Sequence, residues 1–272
     1  MKKVLTVAGS DTSGGAGIQA DLKTFEERGV YGMTALTTIV TMDPDNNWSH
    51  HIFNVPLDVV ESQLKTVLDG VGPDAVKTGM LGPAETIELV ASRLKGQERL
   101  VIDPVMVCKG TDELLQPEAA AAIRDLLVPI CLLVTPNLFE ASQLAGTQPL
   151  RTVEDMKEAA VRIHERGARY VLIKGGSKLE QASTAVDLLY DGQQFQLFEA
   201  PKISTTYTHG AGCTYSAAIT AEIARGLSVP EAVAAAKAFI TSAIGSGFPL
   251  NRFVGPTMHA AHRLNAQGAT LK

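Results

Sequence analysis

The feature that most constrains the fold of this 272-residue chain is a regular alternation between strand-like and helix-like runs. Such alternation predicts a mostly parallel sheet with helices packed on both of its faces, which is an α/β architecture. We expect strands near residues 3–8, 34–41, 74–78, 99–103, 130–135 and 169–174. We expect helices near residues 16–29, 56–70, 83–95, 117–128, 138–146 and 152–167.

The order of elements changes after the sixth of these strands. Residues 185–190 and 194–199 flank Asp191-Gly192, a dipeptide that favours a tight turn, so we expect an antiparallel hairpin at this point of the sheet. The closing helices are expected near residues 213–226, 230–245 and 256–266. Because the chain contains no internal repeat and no long Gly/Ser linker, a single domain spanning residues 1–272 is the simplest interpretation.

Charge and cysteine usage exclude several classes of protein. The chain has 24 Lys and Arg against 29 Asp and Glu, and it has no dense basic run, which argues against a nucleic-acid partner. No apolar run is long enough to cross a membrane, and the short apolar stretch after Met1 is a first strand rather than a signal peptide. Three cysteines without a CxxC pair fit the reducing cytoplasm and exclude a disulfide framework.

The segment 208–214 contains the strongest functional signal. Gly210, Ala211 and Gly212 precede a helical run, and the backbone N–H groups that open a helix favour a bound phosphate. The two glycines let the backbone approach such a ligand without a Cβ in the way. A Gly-x-Gly turn alone marks many ordinary helix starts. The reactive side chain of Cys213 on the same turn favours an anion site for phosphoryl transfer instead.

A second glycine-rich loop, residues 9–17, follows the first predicted strand. Ligands of open α/β sheets lie at the carboxyl ends of strands, so a ligand-facing loop is favoured over a flexible connector. The loop is not a Walker A sequence, because no Gly-Lys-Ser/Thr follows, and its glycine spacing does not match a dinucleotide fingerprint.

Two acidic residues follow other buried strands. Asp103 stands at the end of one strand, where a carboxylate can hold Mg²⁺ through water. Glu140 lies three residues after Asn137, so the two have the spacing of a capping box, and Glu140 beside a phosphate could equally order the magnesium hydration shell. Both interpretations of Glu140 stay open. The same spacing predicts helix starts at Thr152 with Asp155 and at Ser228 with Glu231.

The strand that ends at Lys174 leads into a flexible basic loop of residues 175–178. An isolated ammonium is costly away from water, so Lys174 needs an anionic partner, and the phosphates of ATP would satisfy it. Lys237 in the penultimate helix is a weaker candidate for the same nucleotide, because lysines on helices are mostly solvated.

Four segments together resemble the ribokinase-like superfamily, in particular its branch of hydroxymethylpyrimidine kinases and pyridoxal kinases. They are Val7-Ala8-Gly9-Ser10-Asp11, residues 14–21, Lys77-Thr78-Gly79-Met80-Leu81 and residues 208–214. The resemblance covers nearly the whole chain. It implies a three-layer α/β/α kinase, usually a homodimer, that transfers the γ-phosphoryl group of ATP to a primary alcohol on a small heterocycle, with Mg²⁺.

The substrate is suggested by three positions within this resemblance. Cys213 stands where most ribokinase relatives have Asp and where hydroxymethylpyrimidine kinases have Cys. Met42 stands where pyrimidine kinases typically have Gln, so a partner for pyrimidine nitrogens is missing. Cys108 replaces a small unreactive residue, and its thiolate could add reversibly to the aldehyde of pyridoxal. This pattern resembles the two-cysteine kinases that phosphorylate pyridoxal. The alternatives are a hydroxymethylpyrimidine (phosphate) kinase of thiamine biosynthesis and a catalytically silent binding protein.

The resemblance also implies a role for each candidate residue. The turn amides would stabilise the transferred phosphoryl group, and Cys213, with its pKa lowered at the helix start, would accept the hydroxyl proton. The candidate catalytic residues are Gly210, Ala211, Gly212 and Cys213. The candidate substrate-binding residues are Gly9, Asp11, Met42, Met80, Val105 and Cys108. The candidate nucleotide-binding residues are Asn137, Lys174, Gly175, Gly176, Ser177, Lys178 and Lys237, and the candidate metal-binding residues are Asp103 and Glu140.

Overall fold

The structure, a computed structural model, describes residues 1–106, 117–179 and 183–268. Its strands are β1 (Lys3–Asp11), β2 (Tyr31–Asp43), β3 (Ser49–Asn54), β4 (Ala75–Thr78), β5 (Leu100–Ile102), β6 (Leu133–Val134), β7 (Tyr170–Gly176), β8 (Thr184–Tyr190) and β9 (Phe195–Pro201). Its α-helices are α1 (Gly17–Glu27), α2 (Leu57–Leu64), α3 (Ala84–Leu94), α4 (Pro117–Ala122), α5 (Leu138–Ala145), α6 (Val153–His164), α7 (Ala211–Arg225), α8 (Val229–Gly245) and α9 (Ala261–Ala266). A π-helical turn continues α2 over Lys65–Asp69 and α4 over Ile123–Leu127, and a 3₁₀ turn follows over Val128–Ile130.

The strands of the described ranges form one sheet in the order β3-β2-β1-β4-β5-β6-β7-β8-β9. The strands from β2 to β7 along this order pair in parallel, so their carboxyl ends meet at one edge. The antiparallel hairpin of β8 and β9 is confirmed, and β8 also pairs antiparallel with β7. The sequence analysis missed β3, which pairs antiparallel with β2. Its side chains are mostly exposed, so no alternation of apolar and polar residues indicated a strand.

Helices cover both faces of the sheet, as the three-layer prediction requires. Side chains of β5 alternate between the two faces: Leu100 and Ile102 join the apolar cluster under α2 to α6, whereas Val101 joins the cluster under α7 and α8. All three are fully buried. A strand that is buried on both faces has apolar residues at every position. This continuous apolar run is the reason that β5 was predicted from the sequence.

The predicted helix starts are confirmed where capping boxes were expected. Thr152 accepts a hydrogen bond from the Asp155 amide at 3.1 Å, and the Asp155 carboxylate accepts one from the Thr152 amide at 2.9 Å. Ser228 and Glu231 form the second box. The last predicted helix begins at Ala261 rather than at residue 256. Pro256 instead forms a parallel bridge with His209. The backbone is therefore extended at this point, and the helix can begin only further along the chain.

Over the ranges that the structure describes, no helix is both long and apolar enough to cross a lipid bilayer.

Candidate functional site

A cavity of about 1290 Å³ opens at the carboxyl edge of the parallel strands. It is lined by the ends of β1, β4, β5 and β7, by the start of α5, and by the N-terminus of α7. Every candidate site residue within the described ranges lines this cavity, and Cys108 lies outside the described residues. The structure therefore brings together at one place residues that are as far apart in sequence as Gly9 and Lys237.

The turn before α7 has a backbone that requires glycine. Gly210 has φ +76°, in the left-handed region, and a Cβ at this position would overlap the carbonyl oxygen of Gly15. The loop that follows β1 and the turn before α7 are therefore in direct backbone contact. The glycine loop of residues 9–17 and the turn of residues 208–214 were each predicted as ligand-binding segments, and in the structure they pack against each other.

A short backbone ladder holds the same turn from its other side. The His209 amide donates to the Gly255 carbonyl at 3.1 Å, and the Thr257 amide donates to the His209 carbonyl at 3.3 Å. This ladder is the parallel bridge of His209 with Pro256. The turn is fixed by two chain segments that lie far from it in sequence.

One of the four amides predicted to hold a phosphate is already used within the protein. The Ala211 amide donates to the Thr208 carbonyl at 3.1 Å, which closes the turn. The first N–H groups of a helix have no acceptor within the helix, so the amides of Gly212 and Cys213 are the donors that α7 presents to the cavity. The amides left for an anion are therefore those of Gly210, just before α7, and of Gly212 and Cys213 within its first turn.

Lys174 has the anionic partner that its position requires, and this partner lies within the protein. Its Nζ donates to Asp103 Oδ1 at 2.8 Å, so the protein itself supplies a carboxylate. Nζ also lies 3.5 Å from the place that a Cβ on Gly212 would occupy. The ammonium group is thus next to the anion turn, where a phosphate held by the turn would meet it.

Asp103 is tied to the first turns of α7 as well as to Lys174. Ser216 Oγ donates to Asp103 Oδ2 at 3.0 Å and to the Cys213 carbonyl at 3.1 Å. Burial alone would raise the pKa of Asp103, but the positive charges of Lys174 and Lys77 outweigh it and lower the pKa. Asp103 is therefore an ionised carboxylate in a fixed position. Ser216, which holds Asp103 in place, was not predicted, because no motif in the sequence pointed to it.

The thiol of Cys213 differs from the expected low-pKa nucleophile. Burial raises its pKa to about 12, and Lys77 opposes this shift only in part. Asp103 and Asp21 raise the pKa further, since negative charges disfavour a thiolate. The prediction of a lowered pKa was wrong because the thiol is buried, and because two carboxylates that lie far away in the sequence are near it.

Glu140 forms the capping box that was one of its two expected roles. Its Oε2 accepts from the Asn137 amide at 2.8 Å, and Asn137 Oδ1 accepts from the Glu140 amide at 2.9 Å. Burial raises the pKa of Glu140 to about 7, although Lys174 opposes the shift. The cap leaves Glu140 facing the same cavity as Asp103, so the second role remains a prediction.

Asp11 is the last residue of β1, and its carboxylate organises the glycine loop. Oδ1 accepts from the amide and the hydroxyl of Ser13 at 2.8 and 2.7 Å, and Oδ2 accepts from the Ala16 amide at 2.8 Å. His209 Nε2 lies 2.7 Å from the same Oδ2. Burial would raise the pKa of Asp11, but these hydrogen bonds hold it well below its usual range. Asp11 thereby links the two glycine segments.

A buried ion pair under the cavity was not predicted. Lys77 Nζ lies 3.0 and 2.9 Å from the two oxygens of Asp21, and Thr6 Oγ1 donates to Asp21 at 2.6 Å. Both charged side chains are fully buried and line the cavity. Burial lowers the pKa of Lys77, but neighbouring carboxylates more than reverse this effect, so Lys77 stays charged. Both residues lie in the segments that resemble the kinase family, and this was the only signal in the sequence.

Lys237 is buried rather than solvated, which corrects the expectation for a helical lysine. Its Nζ donates to Asp187 Oδ2 at 2.5 Å. The other Asp187 oxygen accepts from the Gly176 amide at 3.2 Å. The pair therefore connects α8 to the loop after β7, at the part of the cavity assigned to the nucleotide.

The β2–β3 end of the cavity is lined by two apolar side chains and one polar side chain from these strands. They are Val40 and Met42 of β2 and His50 of β3, while Met80 and Val105 line the cavity after β4 and β5. The sequence analysis missed His50 because it did not predict β3. Substrate-binding roles for Met42, Met80, Val105 and Gly9 remain predictions.

The carboxylates of the cavity fit a magnesium ion held mainly by water. Among the described residues, no group of three or more His, Cys, Asp or Glu side chains could enclose a metal ion. Mg²⁺ usually keeps several waters and is bound by one or two carboxylates together with phosphates. Asp103 and Glu140 beside the anion turn match that donor set.

The chain matches a family model described as phosphomethylpyrimidine kinase over residues 11–258. It is 59% identical to the pyridoxine kinase of Bacillus subtilis (strain 168) over 269 residues, which cover 98% of this chain and 99% of the relative. The hydroxymethylpyrimidine/phosphomethylpyrimidine kinase of the same organism is 40% identical over 266 residues, which cover 97% of each chain. The crystal structure of an ADP complex of Bacillus subtilis pyridoxal kinase superposes with a TM-score of 0.94 at 59% identity, over 97% of this chain and 100% of the other.

Proposed function

The chain belongs to the phosphomethylpyrimidine kinase family, and on that premise we propose that it phosphorylates the 5-hydroxymethyl group of pyridoxal, pyridoxine and pyridoxamine. ATP is the phosphoryl donor, and the reaction serves vitamin B6 salvage. The greater identity to a pyridoxine kinase than to a hydroxymethylpyrimidine kinase, 59% against 40%, supports this choice of substrate.

One observation carries the assignment of phosphoryl transfer: Lys174 Nζ lies beside Gly212, so a fixed positive charge adjoins the free amides of a helix start. Phosphoryl transfer is catalysed mainly by positioning and by electrostatic stabilisation of the transferred group. The amides of Gly212 and Cys213 would hold the phosphoryl oxygens from one side and Lys174 from another. The loop of residues 175–178 and Asn137 would hold the rest of the nucleotide, with Lys237 near it.

Cys213 is proposed to accept the proton of the substrate hydroxyl as the phosphorus–oxygen bond forms. A thiol with a pKa of about 12 is rarely ionised at neutral pH. The proposed base therefore works through its small thiolate fraction, which the charge of Lys77 increases. This feature makes the pH dependence of turnover a direct test of the role.

Asp103 and Glu140 are proposed to order the hydration shell of Mg²⁺. The bound ion would neutralise charge on the β- and γ-phosphates. Asp103 is held in its ionised form by Lys174, and this allows it to accept hydrogen bonds from metal-bound water.

A substrate panel tests the proposed function. The purified protein, ATP and Mg²⁺ are combined with each of the three vitamers and with hydroxymethylpyrimidine, and ADP release is measured. We expect kcat/KM to be at least about tenfold higher for the best vitamer than for the pyrimidine. A preference for the pyrimidine would support the thiamine-pathway alternative. A protein that consumes ATP with none of them would be a silent binding protein.

The proposed addition of the Cys108 thiolate to the aldehyde of pyridoxal gives a separate prediction. Cys108→Ala should lower kcat/KM for pyridoxal and leave pyridoxine nearly unchanged, because pyridoxine has no aldehyde. The ratio of the two specificity constants is the measurement. An equal loss on both substrates would contradict the proposed covalent contact.

We also propose a cytoplasmic homodimer. Apolar side chains are exposed on adjoining elements near the β3 edge of the sheet, and a subunit contact would cover them. They are Ile39, Ile52, Phe53, Leu57 and Val59. Sedimentation equilibrium should give twice the chain mass, and Phe53→Asp should shift the protein toward the monomer.

A further inference from the structure

His50 is placed beside Met42 by the register of two antiparallel strands. The two residues are directly opposite each other in the β2–β3 pair. Directly opposed residues project their side chains to the same face of a sheet. Both side chains line the cavity, so His50 and Met42 form one continuous part of its wall. His51 is next along the strand, points to the other face and is exposed.

The surroundings of His50 favour a neutral imidazole. Burial lowers its pKa, His209 lowers it further, and Asp11 opposes both effects. A neutral imidazole presents one N–H donor and one acceptor nitrogen. In the part of the chain that the structure describes, neither ring nitrogen of His50 is within hydrogen-bonding geometry of a protein partner. The ring is thus a half-buried polar group that faces the cavity with its hydrogen-bonding capacity unused.

The chemistry of the candidate substrates makes this position informative. When the reacting 5-hydroxymethyl group points to Cys213, the carbon across the ring carries a methyl group in the vitamers and in hydroxymethylpyrimidine alike. The two classes differ beside that methyl group. The vitamers carry a hydroxyl on carbon 3, and the pyrimidine has a bare ring nitrogen there. A residue that contacts the ring beside this methyl group can therefore distinguish the two classes at this one atom.

We infer that His50 is a specificity-determining residue, which hydrogen-bonds the 3-hydroxyl of a B6 vitamer while Met42 packs against the adjacent methyl group. The inference rests on the proposed function and names the contact behind its substrate preference. Met42 lacks the amide expected of a pyrimidine kinase, and His50 across the strand pair supplies the polar contact instead. A site built to bond a hydroxyl discriminates strongly against an analogue that lacks it.

The test combines one amino-acid substitution with one change of substrate, so that two enzymes are each assayed with two compounds. The whole enzyme and its His50→Phe variant are assayed with pyridoxine and with 3-deoxypyridoxine, which lacks only the hydroxyl. The phenyl ring keeps the size of the side chain and removes its hydrogen bonds. We expect the parent enzyme to prefer pyridoxine by about 10- to 100-fold in kcat/KM. His50→Phe should lose that preference, with its kcat/KM on 3-deoxypyridoxine within about threefold of the parent.

His51→Phe is the matched control, because it places the same side chain one residue along on the opposite face, and it should keep the preference for pyridoxine. His50→Gln retains a donor and an acceptor and should restore part of the preference, which separates a lost contact from a distorted site. A parent enzyme that uses both compounds equally well, or a His50→Phe variant that loses the same factor on both, would overturn the inference while leaving the proposed kinase intact. A parent that phosphorylates no vitamer refutes the proposed function itself, and the inference with it.

Discussion

The two ends of the cavity are built differently. At the end next to α7, the charged side chains have partners within the protein: Lys174 lies 2.8 Å from Asp103, and Lys77 lies 2.9 Å from Asp21. At the end formed by β2 and β3, these two strands contribute the apolar side chains of Val40 and Met42 and the polar side chain of His50. Separating a buried ion pair leaves a buried charge without a partner, which costs free energy. Such pairs therefore keep their side chains in one geometry. A surface of apolar side chains can change its shape by substitution at modest cost. We therefore expect amino-acid substitutions near α7 to reduce turnover, and substitutions on β2 and β3 to alter the preference between substrates.

The largest effect should come from removing the proposed base. Cys213→Ala should reduce the single-turnover rate by roughly 10²–10⁴-fold, the usual range for loss of a general base, with smaller changes in substrate affinity. Single-turnover kinetics separate this step from product release. A thiol with only a packing role would instead lower the melting temperature and leave the rate of the folded enzyme unchanged.

The next effect tests the anion turn. Gly212→Val should reduce turnover by about 10²–10³-fold, because its side chain projects toward Lys174 Nζ and blocks the donors that meet the phosphoryl group. The melting temperature should change little, since only the end of the lysine lies near the new Cβ. Gly212→Ala should have a smaller effect in the same direction. Normal turnover in the valine variant would exclude this turn as the phosphate site.

A smaller effect, which increases steadily with pH, should appear in the single-turnover rate. A base must be deprotonated to act, and burial raises the pKa of Cys213 to about 12. The single-turnover rate should therefore rise about tenfold for each pH unit over the neutral range. Cys213→Asp replaces the thiol with a group of much lower intrinsic pKa, so its rate should level off at a lower pH than that of the parent, even though burial and the two carboxylates raise the pKa of the new group as well. A flat profile in the parent enzyme would show that the thiolate is not the base.

The smallest effect concerns substrate choice at the β2–β3 end. Met42→Gln should raise the ratio of kcat/KM for hydroxymethylpyrimidine over pyridoxine by several-fold to about tenfold, because it supplies the missing amide partner. The turnover of ATP at saturation should stay close to that of the parent. An unchanged ratio would mean that Met42 does not contact the substrate, and a collapse of turnover would contradict the separation of the two ends.

Local signals in the sequence were enough to predict much of this architecture. The strand β5 is buried on both faces, so its residues form an unbroken apolar run that is visible in the sequence. The capping box of Thr152 involves a residue only three positions away, so it is visible in the sequence as well. The strand β3 was missed because its mostly exposed side chains show no alternation of apolar and polar residues, and because it lies at the edge of the sheet formed by the described residues, beside β2.

Many of the residues that line the cavity were predicted from the sequence, but their electrostatics were not. Each candidate site residue within the described ranges lines the cavity. The pKa of Cys213 was predicted wrongly, since it depends on burial and on Asp21 and Asp103, which lie near the thiol only in the folded protein. The pairing of Lys174 with Asp103 likewise joins residues 71 positions apart. Long-range charge contacts of this kind leave no pattern in the linear sequence.

The bridge between His209 and Pro256 has a consequence for how the protein is made. The loop after β1 packs against this turn, and the turn is held by backbone bonds to Gly255 and Thr257, which follow every strand of the sheet. A nascent chain that has not yet reached these residues can pair its strands but lacks the ladder beside His209. We therefore expect the turn before α7 to reach its final geometry only after residues 255–257 have been synthesised.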